Sequence, residues 1–169
     1  KLIPPEERKK LWAMGVKIGR YHVYLPRMLK PKAVEFRVSL WKIFQNLTDN
    51  QTIPKFGLNF IINKSYDKNF LLICGFEKFR EFYVRIDILE KLFIKILDNT
   101  KNRKFMINSE MMNLLGCTKE NFYKLMSYMN YKKDKVKDTY IFKGEKKKNK
   151  KFIKFDKKEN PFKKLLNLN

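Results

Sequence analysis

Two short helical patterns separated by a glycine-containing turn are the feature of this sequence that most constrains its fold. Ser109 is a favourable helix N-cap ahead of the run EMMNLL, and Gly116 ends that run. Thr118 is a second N-cap, and the residues after it, KENFYKLMSYMN, have helical apolar spacing. Two such helices joined by a turn of about four residues form the helix-turn-helix pattern.

The spacing within the two helices agrees with that pattern. Met112 falls at the inner small or apolar position, Gly116 at the turn glycine, and Phe122 and Leu125 at the two core contacts. Met112 is larger than the alanine that usually occupies its position. Because short amphipathic helix pairs are common, a generic helical hairpin that only packs against the core is the alternative.

The flanking segments extend the pattern to a winged helix. FLLICGF, from Phe70, predicts a buried strand, and Val84–Leu97 carries apolar residues on one helical face. Phe105–Ile107 predicts a short strand, and DTYIFKG predicts a wing strand. Together these elements predict a winged-helix-like module over residues 70–142.

The N-terminal part predicts a smaller module. Residues 5–14 favour a helix, residues 16–25 favour one strand, and Ala33–Phe44 has helical apolar spacing. Residues 1–50 are therefore predicted to form a helix-strand-helix module, and residues 51–69, which are rich in turn residues, are predicted to form a linker. The predicted class is α+β, mainly α: a small α/β N-terminal module, then the winged-helix-like module, then a basic disordered tail.

The charge of the chain indicates a polyanionic partner. Lysine and arginine total 39 against 17 aspartate and glutamate residues, which gives a formal net charge of +22. Nucleic acid is the favoured polyanion, and an anionic membrane surface or a merely solubilising charge are the alternatives. No apolar run reaches the roughly 18 to 20 residues that a membrane span needs, so no span is predicted, and no membrane is among the favoured partners.

The basic charge is densest in the tail, residues 143–169. Residues 143–158 contain nine lysines against one glutamate and one aspartate, and such a block is predicted to be disordered without its partner. Lysines that neutralise phosphates and phenylalanines that stack on bases are typical of single-strand binding. A solvated tail whose phenylalanines dock on the body is the alternative. The predicted binding residues are Lys146, Lys147, Lys148, Lys150, Lys151, Phe152, Lys154 and Phe155.

A second, weaker set of predicted binding residues lies outside the tail. It comprises Lys119, Asn121, Tyr123 and Lys124 on the second helix of the pair, with Arg20 and Arg27 in the N-terminal module. A stand-alone winged-helix DNA-binding regulator is an alternative function, with Ser127 joining this helix face in a major groove. That helix has few side chains suited to base edges, and Asn121 is the best of them. A protein-docking module whose basic surface meets an acidic partner is a third hypothesis.

Catalytic and metal sites are not predicted. The sequence has no phosphate-binding loop, and His22 fits a half-buried strand residue better than a general base. Asp87 and Glu90 resemble an acid pair, but a helix N-terminal charge pattern explains them more simply. Cys74 and Cys117 suit a reducing cytosol as small buried hydrophobes, and with one histidine they make no zinc site.

Three segments together resemble one family. They are LWAMGVKIGRYHVYLPRMLKPKA (11–33), CGFEKFREFYVRIDILEKL (74–92) and MMNLLGCTKENFYKLMSYMNY (111–131). They are similar to the region after the motor in bacterial, alphaproteobacterial-type DEAD/DEAH-box helicases related to the mitochondrial degradosome RNA helicase. The terminal Asn-Pro-Phe followed by leucine-rich residues, Asn160–Leu166, is similar as well.

The resemblance implies an accessory region that grips or guides RNA beside an ATP-driven motor located upstream. The chain begins at Lys1 rather than at a methionine, so we expect a piece of a longer cytoplasmic protein. ATP and Mg²⁺ are expected only for the motor domains, and no cofactor is expected for this chain. The motor's ATPase motifs have no matching positions here, so no catalytic residue is carried over. The implied partners are RNA, the motor domains of the same polypeptide and a ribonuclease.

Overall fold

The structure is a computed structural model that describes residues 3–46, 51–62, 66–134 and 139–142. Over these residues the chain forms six α-helices and three small antiparallel sheets, and about 49% of it is helical. The predicted α+β class is therefore confirmed.

The N-terminal segment pairs two helices with a small hairpin. Helix α1 (Pro5–Ala13) precedes strands β1 (Lys17–Ile18) and β2 (Val23–Tyr24), which pair antiparallel. A 3₁₀ helix over Pro26–Leu29 leads into α2 (Pro31–Phe44). The prediction of a single strand over residues 16–25 is wrong, because the chain reverses where the Gly19 N–H donates to the His22 carbonyl over 2.8 Å.

The middle of the chain forms a three-stranded sheet and a short helix that contacts it. Strand β3 (Phe60–Ile62) lies within the segment predicted as a linker. The predicted domain boundaries stay a prediction. Helix α3 (Lys68–Ile73) leads into strands β4 (Phe76–Phe79) and β5 (Phe82–Arg85), and the sheet order is β3-β5-β4. The strand predicted from Phe70 is wrong over its first four residues, which belong to α3.

Helix α3 begins at a clear capping signal. The Asp67 carboxylate accepts the backbone N–H groups of Asn69 and Phe70, at 2.8 and 3.0 Å. The apolar run that follows is too short for the spacing of its residues to distinguish a helix from a strand, so the cap is the signal that favours a helix.

The second half begins with α4, which follows β5 directly. Its elements are α4 (Ile86–Asp98), β6 (Lys104–Met106), α5 (Ser109–Leu115), α6 (Lys119–Tyr128), β7 (Tyr131–Lys133) and β8 (Thr139–Phe142). The three strands form an antiparallel sheet in the order β6-β8-β7. Strand β7, between the second helix of the pair and the wing strand, was not predicted.

The turn between α5 and α6 follows the predicted chemistry with one correction. Asn108, not Ser109, caps α5, because its side chain accepts the Met111 N–H over 2.9 Å and Ser109 is already helical. Gly116 ends α5 in the left-handed conformation with φ 67°, and Thr118 caps α6.

The buried apolar side chains form two clusters. The larger joins α4, α5 and α6 to both three-stranded sheets, with Leu89, Phe122 and Leu125 fully buried. The smaller lies between α2, α3 and the β4–β5 hairpin, around Val38 and Phe70. The larger cluster fixes α6 and β8, which carry the candidate site.

Candidate nucleic-acid interface

Helix α6 presents one polar face away from the core. Phe122, Leu125 and Met126 are buried, while Lys119 and Ser127 are exposed and Tyr123 is half-buried. Residues 119, 123 and 127 are spaced by four and therefore lie on one side of the helix. Two of the predicted binding residues, Lys119 and Tyr123, are brought together in this way.

Tyr123 is the centre of a cationic and aromatic cluster built from three elements. The Lys119 ammonium of α6 lies 5.7 Å from the centre of its ring, and the Lys133 ammonium of β7 lies 5.9 Å from it. The ring also stacks on Tyr140 of β8, with centroids 6.1 Å apart and planes inclined by 28°. Positive charge is thus held beside an aromatic surface, in the arrangement known as cation–π contact.

A groove of about 300 Å³ runs beside this cluster. It is called the α6 groove here, and Tyr123 and Ser127 of α6, Lys132 and Lys133 of β7, and Tyr140 of β8 line it. No acidic side chain is among the described residues that line it. Among the described residues, the groove therefore combines ammonium groups suited to a phosphate with the half-buried ring of Tyr123, and no carboxylate lines it.

The other two predicted residues of α6 have different surroundings. Lys124 is exposed. The pKa of the Glu81 carboxyl is lowered mainly by a backbone hydrogen bond, and the charge of Lys124 lowers it further. Glu81 in turn accepts the Tyr128 hydroxyl over 2.9 Å, which raises the pKa of that tyrosine. Asn121 is half-buried in the first turn of α6, where its backbone N–H is capped by Thr118. Neither Lys124 nor Asn121 lines the α6 groove.

Arg20 lies in a separate cleft of about 480 Å³, called the Arg20 cleft here. Its guanidinium carbon is 4.5 Å from the ring centre of Phe93 and 4.7 Å from that of Phe142. Tyr131 lines both the Arg20 cleft and the α6 groove. Arg27 is exposed on the 3₁₀ helix, which packs against α2.

The turn that carries Arg20 is bound by a buried carboxylate. Glu90 of α4 is 5% exposed and accepts the backbone N–H groups of Arg20, Tyr21 and His22, each over 2.8 Å. A Cβ on Gly19 would overlap this carboxylate, so the absence of a side chain there permits the contact. The helix N-terminal explanation of Glu90 is therefore wrong, because its charge is matched by three backbone donors rather than by the helix end.

His22 contacts the Glu90 carboxylate and a second carboxylate, that of Glu77. Its Nε2 atom is 3.0 Å from Oε2 of Glu77 on β4, and its Nδ1 atom is 3.4 Å from Oε1 of Glu90. His22 is half-buried, as expected, but lies in the turn ahead of β2 and between two carboxylates. Asp87 stays in the first turn of α4 and pairs with Arg85 over 2.7 Å.

Sequence inspection missed several residues of the two depressions. Lys133, Tyr140, Arg103 and Phe142 line one or the other and were not predicted as binding residues. The alternation of aromatic and other residues in TYIF was the available signal for β8. Strand β7 gave no comparable signal, since its three residues follow α6 after a two-residue turn.

The predicted binding residues of the tail lie outside the described residues. They are Lys146, Lys147, Lys148, Lys150, Lys151, Phe152, Lys154 and Phe155.

The two cysteines are reduced and shielded. Cys74 is buried and Cys117 half-buried, and burial raises the pKa of each thiol to about 11. In the part of the chain that the structure describes, no three histidine, cysteine, aspartate or glutamate side chains group so as to hold a metal ion.

Of the helices described, none combines the length and apolar character required to cross a membrane.

Comparisons with protein-family models, with curated proteins and with solved structures gave no match for this chain.

Proposed function

We propose that this chain binds single-stranded or partly unwound RNA through the α6 groove and the lysine-rich tail. The observation that carries the proposal is the Tyr123 ring with the Lys119 and Lys133 ammonium groups 5.7 and 5.9 Å from its centre, beside a groove lined by no acidic side chain among the described residues. Ammonium groups attract the phosphates of any nucleic acid, whereas an accessible ring stacks on bases that are not paired.

The order of elements supports a winged-helix-like assignment for residues 86–142. A helix, a strand, two helices and two strands follow one another, and the sheet has the antiparallel order β6-β8-β7. In this assignment α6 is the exposed second helix of a helix-turn-helix pair and the β7–β8 hairpin is the wing. The α6 groove lies where helix and wing meet, which supports its use as a binding surface.

The wider role is proposed from the sequence resemblance. The chain would be a non-catalytic region that grips or guides RNA beside the ATP-driven motor of a DEAD/DEAH-type helicase. ATP and Mg²⁺ would bind to that motor. The protein partners of this chain would be the motor domains and a ribonuclease.

Salt dependence of binding tests the proposal most directly. The full chain is titrated into a fluorescent single-stranded oligouridine at several KCl concentrations, and anisotropy gives the affinity. The logarithm of the association constant is expected to fall linearly with the logarithm of the salt concentration, by about 0.7 for each neutralised phosphate. An affinity that does not change with salt contradicts the proposal.

Two variants locate the binding surface. Tyr123→Ala removes the stacking ring, and an affinity loss of about 1 to 3 kcal/mol is expected. Lys133→Gln removes one ammonium group, and it should lower both the affinity and the salt slope. Lys32→Gln is the matched charge control, since Lys32 is exposed on α2 and does not line the groove. Equal losses for Lys133→Gln and Lys32→Gln place the binding surface elsewhere.

The tail is tested separately. Phe152→Ala and Phe155→Ala are each expected to cost on the order of 1 kcal/mol in single-strand affinity if the two rings stack on bases. Replacing each phenylalanine by tyrosine keeps a ring and serves as the control. If the alanine and tyrosine variants bind equally, the tail acts through its lysines alone.

A stand-alone DNA-binding regulator is the second candidate function. The shared face of Lys119, Tyr123 and Ser127 on α6 favours it, because a recognition helix presents one such face to a major groove. Selection from random duplexes separates the candidates. Recovery of a defined duplex motif supports the regulator, whereas a preference for single strands with no motif supports the RNA-binding proposal.

A further inference from the structure

The Arg20 cleft combines two arginines with an aromatic wall. Arg20 and Arg103 are both exposed and line its opening, and Phe93, Tyr131 and Phe142 are among the rings that line its interior. Its volume of about 480 Å³ falls within the roughly 300 to 1,000 Å³ typical of small-molecule sites. No acidic residue lines it within the described part of the chain.

The guanidinium group of Arg20 is held in place before any ligand binds. Glu90 binds the backbone of the turn through the N–H groups of residues 20 to 22, and the rings of Phe93 and Phe142 flank the guanidinium. None of the ion pairs among the described residues involves Arg20 or Arg103. A guanidinium held beside rings, with no ion pair among the described residues, leaves its N–H donors available to an external acceptor.

The Arg20 cleft shares one lining residue with the α6 groove. Tyr131 lines both depressions, and the lysine-rich tail starts in the sequence directly after Phe142, which lines the cleft. The same β7 strand residue thus borders both depressions, and the basic tail continues the chain from a residue that lines the cleft.

We propose that the Arg20 cleft binds one unpaired nucleotide of the RNA strand. The guanidinium groups of Arg20 and Arg103 receive the phosphate, and the base lies against the apolar wall that includes Leu97 and Phe142. This inference rests on the proposed RNA binding and adds a subsite to it. It predicts discrimination against duplex RNA, because a paired base cannot leave its stack to enter the cleft without a cost in free energy.

Two variants of the full chain test the cleft with matched controls. Leu97→Trp fills it without changing charge, and Ile94→Trp is its control, because Ile94 is exposed on the same helix and does not line the cleft. Arg103→Gln removes one guanidinium, and Lys101→Gln removes a charge from the same turn outside the cleft.

Binding is measured by anisotropy with single-stranded oligouridine and with an RNA duplex. Leu97→Trp should weaken single-strand binding by about fivefold or more, the loss expected for one stacked base. Arg103→Gln should weaken it by about fivefold or more as well, through the lost hydrogen bond to the phosphate. Both controls should stay within about twofold of the unmodified chain, and Leu97→Trp should leave duplex affinity unchanged. Variants that match their controls overturn the inference while leaving the proposed RNA binding intact.

A mononucleotide titration tests the cleft apart from the rest of the RNA surface. Uridine monophosphate is added to the ¹⁵N-labelled chain, with uridine and inorganic phosphate as separate probes. Shifts of the Leu97 and Thr100 amides that are larger with the monophosphate than with either probe support a nucleotide site. Equal shifts with inorganic phosphate alone indicate a simple anion site and overturn the inference. If the chain binds no RNA at all, the proposed function fails, and this titration still decides whether the cleft takes a nucleotide.

Discussion

Replacing Glu90 with glutamine tests the junction that holds the Arg20 turn against α4. The change keeps the shape of the side chain and removes its charge. In the native chain Oε1 accepts the N–H groups of Tyr21 and His22, and Oε2 accepts that of Arg20. A glutamine whose oxygen keeps the first two contacts directs its NH₂ group at the Arg20 N–H, so one part-buried donor loses its acceptor.

The magnitude follows from these three bonds. Two charge-assisted bonds become neutral at a cost of about 1 kcal/mol each, and the unpaired Arg20 N–H costs about 1 to 3 kcal/mol. Burying a neutral amide costs less desolvation free energy than burying a carboxylate, which offsets part of that loss. We therefore expect Glu90→Gln to lower the free energy of unfolding by about 2 kcal/mol or more, which is a large share of the roughly 5 to 15 kcal/mol of a typical domain.

Urea unfolding followed by circular dichroism measures this loss. Glu35→Gln is the control, since Glu35 is an exposed carboxylate on α2 and its removal should change stability by less than about 0.5 kcal/mol. A Glu90→Gln loss as small as that of the control would refute the reasoning, because it would mean that the three backbone contacts contribute no net stability. Glu90→Gln should also weaken single-strand RNA binding if the Arg20 cleft is used, since the turn that positions Arg20 is loosened.

The remaining predictions concern a turn, a helix cap and the two thiols. Gly75→Ala should lower the free energy of unfolding by about 1 to 2 kcal/mol, because Gly75 has φ +93°; urea unfolding with no measurable loss would contradict the assigned backbone. Asn108→Ala should cost about 1 kcal/mol as the loss of an N-cap and Ser109→Ala much less, and the reverse order in thermal unfolding would restore Ser109 as the cap. Cys74 and Cys117, whose thiol pKa burial raises to about 11 from 9.0, should react with iodoacetamide at pH 8 roughly a hundredfold more slowly than in the unfolded chain, and equal rates would show that they are not shielded. The same shifts imply that stability is lost as the pH rises from 9 towards 11, because only the unfolded thiols ionise in that window.

Elements with strong local signals were predictable from the sequence. The pair of helices around Gly116 follows from a left-handed glycine, a threonine cap and apolar spacing, all of which act within a few residues. The N-terminal helix, the helix from Pro31 and the helix after Arg85 were predicted for the same reason. Helix α3 was mistaken for a strand, because the seven apolar or small residues from Phe70 to Phe76 fit either structure and only the Asp67 cap decides between them.

The binding surfaces were only partly predictable. Lys119 and Tyr123 were found from α6 alone, since their spacing places them on one helix face. Lys133 and Tyr140 join them only through the pairing of β7 with β8, which brings distant residues to one side of Tyr123. Arg20 was predicted as a binding residue, but its setting beside Phe93 and Phe142 depends on contacts across more than 70 positions of the chain.

The sequence by itself determined the charge, the α+β class and the local helix signals, because these depend on composition and on neighbours within a turn or two. Only the tertiary structure decided what Glu90 does. Its carboxylate is buried against the backbone of a turn some 70 residues earlier, and Gly19 makes room for it. A carboxylate recognised by backbone N–H groups leaves no side-chain pattern in the sequence, since every residue except proline carries the same donor. That contact positions the turn of Arg20, and through it the cleft proposed here for an unpaired nucleotide.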